Sequence, residues 1–139
     1  MARALGGRVA EKIIYGQGRV TTGAGSDLRK ATEIARDMII EQGMGTKLRD
    51  QVFHEDNGGM VFDKMTHERP YSDDTAREID SEVAELIKEA ARRAESVINA
   101  NRKSLDALAE ALLEEETIEE TRVNEILKDA KLPKEASQY

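Results

Sequence analysis

Cysteine is absent from all 139 residues, and so is tryptophan. Without a thiol there is no disulfide and no thiolate ligand, so any metal site must draw on His, Asp and Glu, and a reducing compartment suits the chain. Only His54 and His67 supply imidazoles. Aromatic residues make up 4% and prolines number two, a composition that suits helices of Ala, Leu, Ile and Val better than a β-sandwich. No apolar run approaches the roughly 18–20 residues that span a bilayer, and the N-terminus lacks a signal-peptide layout, so the chain as given is expected to be soluble. A basic excess is also missing: 28 acidic against 21 basic groups give a net charge of −7, which repels phosphate backbones and argues against a nucleic-acid partner. There is no Gly-x-x-x-x-Gly-Lys-Ser/Thr loop to cradle ATP, no internal repeat and no low-complexity tract.

What is present is amphipathic periodicity. The length suits one domain, which at this size buries about 68–70% of the surface its unfolded chain exposes. The expected fold is mainly α: a bundle of four to five helices with a long irregular loop or short hairpin around residues 44–71. Residues 2–15 read as a helix with Ala4, Leu5, Val9, Ile13 and Ile14 on one side, ended by Gly16. Gly6 and Gly7 inside it cost about 1 kcal/mol each relative to alanine, which calls for a reason such as close approach of another backbone.

The second helix follows a glycine-rich turn, Gly23-Ala24-Gly25, with Ser26 as its expected N-cap and Asp27 in its first turn. Leu28, Ala31, Ile34, Ala35, Met38 and Ile39 recur at steps of three and four, and Gly43 stops the helix. Asp27 has two readings. As an exposed first-turn acid it complements the helix dipole by about 0.3–1 kcal/mol. As a metal ligand it would need partners from elsewhere, and the residues alone favour the dipole reading because first-turn acids are common.

Residues 44–71 lack helical periodicity, and Val52-Phe53 and Met60-Val61-Phe62 around Asn57-Gly58 make a short hairpin conceivable. His54 and His67 lie here beside Glu55, Asp56 and Glu68; their spacing fixes no ligand geometry, and solvated loop histidines are the simpler reading against adventitious metal binding. Ser72 opens the longest helix, with Asp73 and Asp74 in the first turn and Ile79, Val83, Leu86, Ile87, Ala90, Ala94, Val97 and Ile98 along one face. At about 1.5 Å per residue it is roughly 40 Å long and serves as the central packing helix. Residues 101–115 carry Leu105, Leu108, Ala109, Leu112 and Leu113 on one face. Thr117-Ile118-Glu119-Glu120 fits a capping box before a last helix that buries Val123, Ile126 and Leu127. Pro133 closes it, and residues 133–139 form a frayed tail.

Several separated motifs, in order, resemble the peptidase domain of FtsH-type ATP-dependent zinc metalloproteases. They are Leu5-Gly6-Gly7-Arg8-Val9-Ala10-Glu11, then Thr21-Thr22-Gly23-Ala24-Gly25-Ser26-Asp27-Leu28 with Ala31-Thr32-Glu33-Ile34-Ala35-Arg36-Asp37-Met38. Tyr71-Ser72 through Thr75-Ala76-Arg77-Glu78-Ile79-Asp80, and Leu105 through Leu113, follow. The resemblance implies that Asp27 is the third protein ligand of a catalytic zinc and that Glu11 lies near the site without ligating. It reverses the balance between the two readings of Asp27.

One departure limits the chain. The family's zinc helix carries His-Glu-x-x-His, two histidines one turn apart with the glutamate as general base, and no such run occurs here. Residues 1–132 therefore resemble the C-terminal portion of the peptidase domain. No catalytic residue falls in this chain, and the general-base glutamate is expected upstream. One ligand does not hold a catalytic zinc, so the chain alone is expected to be inactive and to bind no cofactor tightly. For the parent protein the resemblance implies zinc, and ATP and magnesium on an upstream ATPase module. It also implies protein substrates, a homo-hexamer, and membrane attachment through upstream segments with the peptidase on the cytoplasmic side or its organelle equivalent. If the zinc helix packs across Gly6 and Gly7, its absence exposes a groove near Leu5, Val9 and Ile13. The alternative function is a non-catalytic helical assembly module, separated from the first by whether His-Glu-x-x-His is encoded before Met1. An independent small-molecule enzyme has no nucleophile, base and orienting group that spacing brings together.

Overall fold

The computed structural model describes residues 1–16, 23, 25–53 and 71–134. Five helices follow in order: α1 (Ala2–Tyr15), α2 (Gly25–Ile40), α3 (Asp73–Ala100), α4 (Arg102–Glu115) and α5 (Glu120–Leu127). Among the described residues the only β pairing is an isolated bridge between Met44 and Arg49. No helix there is long and apolar enough to cross a membrane. The mainly α expectation therefore holds. The chain divides into two compact units, one of Met1 with Gly25–Glu89 and one of Ala2–Ala24 with Ala90–Tyr139, so α3 contributes its first part to one and its last part to the other.

In the first unit, Ala31, Ala35 and Ile39 repeat every four residues along α2 and are fully buried, as is Ile79 on α3. Ala35, Ile39, Ile40, Ile79 and Val83 form the core, with Met1, Leu48, Phe53, Tyr71, Leu86 and Ile87 packed around it. Burying side chains the size of Ile39 and Ile79 stabilises by about 1.5–3 kcal/mol each. Ile40 lies outside the expected apolar face, yet it is buried because the chain after α2 folds back: Phe53 N–H donates to the Ile40 carbonyl at 2.8 Å.

The ends of the helices follow their residues unevenly. Gly16 and Gly43 close α1 and α2 at φ +81° and +59°, backbone geometry that a side chain resists. Ser72 caps α3, its Oγ accepting from Thr75 N–H at 3.2 Å. Ser26, expected as a cap, instead lies inside α2, which begins one residue earlier at Gly25. The capping box at Thr117 does not form either. Thr117 N–H turns back to the Glu115 carbonyl, α5 starts at Glu120, and its N-cap Glu119 makes no side-chain hydrogen bond.

In the second unit Leu5, Val9, Ala90, Ala94 and Ala111 are buried. The expected α4 face is rotated: Ala111 is buried while Leu112 and Leu113 are 47% and 83% exposed. Leu113 sits two residues on, about 200° around the helix from Ala111, so it cannot share that face. On α5 Val123, Ile126 and Leu127 reach only half-burial. The Asn101 side chain ties the C-terminal stretch to the break between α3 and α4. Its amide nitrogen donates to the Val97 and Lys131 carbonyls at 2.7 and 2.8 Å, and its oxygen accepts from Lys131 N–H at 2.6 Å.

Among the described residues the expected close backbone approach at Gly6 and Gly7 is not found: a Cβ added at either would meet none of their atoms within 4 Å. Residues 44–53 are non-helical as expected. The hairpin strands beyond Phe53, the Asn57-Gly58 turn, His54, His67 and the tail from 135 lie outside the described residues.

Candidate functional site

Asp27 stands in the first turn of α2, exposed, with Ala31, Ala35 and Ile39 anchoring the same helix in the core of its unit. A carboxylate in this position faces solvent from a helix whose remaining turns are held by burial, so it is available to a ligand without disturbing the fold. Glu11 lies on α1, half-buried, and belongs to the other unit. Among the described residues no three His, Asp or Glu side chains converge as a metal site. A catalytic zinc takes three protein ligands, and among the described residues no such set comes together around Asp27.

Among the described residues a buried polar constellation lies elsewhere, at a position the sequence does not single out. Glu82 is a buried charged residue, 6% exposed, on the same α3 face as Ile79 and Val83. Its Oε1 accepts from the backbone N–H groups of Thr46, Lys47 and Leu48 at 3.0, 2.5 and 3.3 Å and from the Thr46 hydroxyl at 3.2 Å. Its Oε2 accepts from Thr46 N–H at 3.0 Å. Three successive amides thus close on one carboxylate and pin the turn after α2 to α3.

Gly45 makes room for this clamp. A Cβ there would collide with Glu82 Oε2 and come within 3.1 Å of Cδ. Burial pushes the Glu82 carboxyl up, but the amides of Lys47, Leu48 and Thr46 and the Thr46 hydroxyl outweigh it and hold it below its ordinary value. Beside the clamp, Lys47 Nζ pairs with Glu78 at 2.6 Å; that contact, first through its hydrogen bond and then its charge, raises the lysine above its ordinary value. The signal in the sequence was an acid on an apolar stripe. It went unread because the turn it serves is 34–36 residues away.

The well-anchored α2 carries three exposed carboxylates, Asp27, Glu33 and Asp37, of which Asp27 is the one in the first turn. The family model Peptidase family M41 matches residues 1–126. Similar curated proteins include ATP-dependent zinc metalloprotease FtsH 3 of Synechocystis sp., 42% identical over 128 residues, covering 91% of this chain and 21% of that protein. ATP-dependent zinc metalloprotease FtsH of Bacillus subtilis is 42% identical over 131 residues, 93% of this chain and 20% of its own length. The FtsH of Mycoplasma mobile is 45% identical over 130 residues, 93% of this chain and 18% of its own length. The chain thus spans about a fifth of the length of the curated relatives it matches. With the match running through α1, the Asp27 turn, α2, α3, α4 and most of α5, the chain belongs to peptidase family M41.

Proposed function

We propose that this chain is the C-terminal portion of the peptidase domain of an ATP-dependent zinc metalloendopeptidase that degrades membrane and cytoplasmic proteins. The observation that carries the reading is the family match across residues 1–126 with Asp27 standing exposed on the first turn of α2. Asp27 is the third zinc ligand; the other two ligands and the glutamate that activates water come from the part of the longer protein that precedes the matched region. When bound there, zinc supplies a Lewis acid for peptide-bond hydrolysis. The contribution of this chain is to fix the direction and height of one carboxylate on a helix whose packing does not depend on the metal. Glu11 is the weaker candidate for a supporting position near the site.

In this reading the longer protein binds ATP and magnesium on a separate module and assembles as a homo-hexamer. It is anchored in a membrane through segments outside this chain, with the peptidase on the cytoplasmic side or its organelle equivalent. The chain alone does not cleave peptides. Replacing Asp27 by Ala in the longer protein should abolish zinc-dependent casein hydrolysis while leaving the helical circular dichroism and melting temperature intact, because an exposed side chain carries little packing. Retained hydrolysis would take Asp27 out of the site. A tight one-to-one zinc titration of the 139-residue chain by itself would equally contradict the division of ligands.

A further inference from the structure

Among the described residues Glu82 is the only buried polar or charged side chain. The turn it holds is joined to the end of α2 by backbone hydrogen bonds. Gln42 and Met44 N–H donate to the Asp37 and Met38 carbonyls at 3.2 and 2.9 Å, and Asp50 N–H donates to the Gly43 carbonyl at 3.0 Å. Phe53 N–H, beyond the turn, returns to Ile40. The last turn of α2 and residues 44–53 therefore form one hydrogen-bonded piece, and the Glu82 carboxylate fixes that piece to α3. The other contacts set the register of α2 less firmly. Of its fully buried side chains, Ala31 and Ala35 end at one methyl, which resists sliding and rolling far less than a branched side chain does. The ion pairs Arg36–Asp80 and Lys47–Glu78 each have an exposed cation, at 42% and 72%, so water screens both.

We infer that Glu82 is a positioning residue for the metal site: by fixing the C-terminal end of α2 against α3, it sets where Asp27 stands at the other end of the same helix. The inference rests on the reading of Asp27 as a zinc ligand. Asp27 is exposed in the first turn, so its own side chain is not held by packing and its position is inherited from the helix. It lies roughly 20 Å along the axis from Ile40. Over that length a tilt of about 5° carries the carboxylate about 2 Å. A metal–ligand distance tolerates about 0.2 Å. A slack too small to unfold the helix is therefore large enough to spoil coordination. Gly45 serves the same end, because a Cβ there would collide with Glu82 Oε2 and push the turn away from α3.

The absence of cysteine makes the test direct, because spin labels attach only where thiols are introduced. Ser26→Cys, beside Asp27, and Ala84→Cys, on α3, are both at exposed positions and are labelled together in the 139-residue chain. The distance between the two nitroxides is read by double electron–electron resonance. The expected result, when Glu82→Gln or Gly45→Ala is added, is a mean distance shifted or a distribution widened by about 1–2 Å, with helical circular dichroism unchanged. An unmoved distribution would overturn the inference, whether or not amide exchange at Thr46, Lys47 and Leu48 accelerates, since the clamp would then hold only its own turn. In the longer protein, Glu82→Gln should release zinc to a chelator about tenfold faster, and the effect should vanish in an Asp27→Ala background. Release that Glu82→Gln speeds equally with and without Asp27 would also overturn it, because the loss would then be one of general stability. The two claims fail separately. Asp27-dependent zinc beside unmoved labels sinks only the role of Glu82, whereas moved labels with zinc retention indifferent to Asp27→Ala sink the reading of the site.

Discussion

Removing the Glu82 carboxylate should loosen the turn after α2 before it unfolds anything else. Oε1 and Oε2 together accept from three successive backbone amides and one hydroxyl, and the residue is 6% exposed. A hydrogen bond to a charged group contributes about 1.5–3 kcal/mol, while the cost of burying the carboxylate offsets several kcal/mol of the sum. Thr46 and Lys47 are exposed, so their freed amides regain some water. The net expectation is a loss of about 2–4 kcal/mol for Glu82→Ala and about 1–2 kcal/mol for Glu82→Gln, which keeps the shape and one acceptor oxygen. Urea unfolding measures the total. Amide exchange at Thr46, Lys47 and Leu48 measures the turn itself, and should accelerate in both variants.

The same carboxylate makes stability pH-dependent with a definite sign. Its folded pKa is lowered, so below the ordinary carboxylate value of about 4.3 the unfolded chain binds a proton that the folded one still excludes. The stabilisation is complete above that value and is lost as the pH falls through the depressed folded value. Wild type should therefore lose more stability than Glu82→Gln between about pH 5 and pH 3, and the difference between them should shrink toward acid. A Glu82→Ala variant that unfolds within about 0.5 kcal/mol of wild type, with unchanged exchange at the three amides, would refute the clamp.

Two further outcomes test the parts around it. Gly43→Ala should destabilise by about 1–2 kcal/mol in urea unfolding, because φ is +59° and the new Cβ would meet the Gln51 carbonyl oxygen at 3.0 Å. Asn101→Ala should release the stretch around Lys131 at a cost of about 1 kcal/mol, seen as faster amide exchange at Lys131 with little change in helix content.

The four-residue steps of Ala31, Ala35 and Ile39, the serine at 72 and the glycines at 16 and 43 were enough to place the helices and several of their ends. These features act within one turn, over distances that the chain itself sets. The family motif around Asp27 was legible for the same reason, as a contiguous run. Glu82, Ile40 and Leu112 with Leu113 were not. Whether an acid on an apolar stripe is a flaw or a clamp depends on which amides lie opposite it, and Thr46, Lys47 and Leu48 arrive from 34–36 residues away. Whether a leucine in α4 is core depends on the rotation of the helix against its neighbours, which a stripe wider than one face leaves undetermined. Local periodicity decides what each segment becomes; burial and charge satisfaction are decided only when distant segments meet, because both depend on what excludes water from the other side.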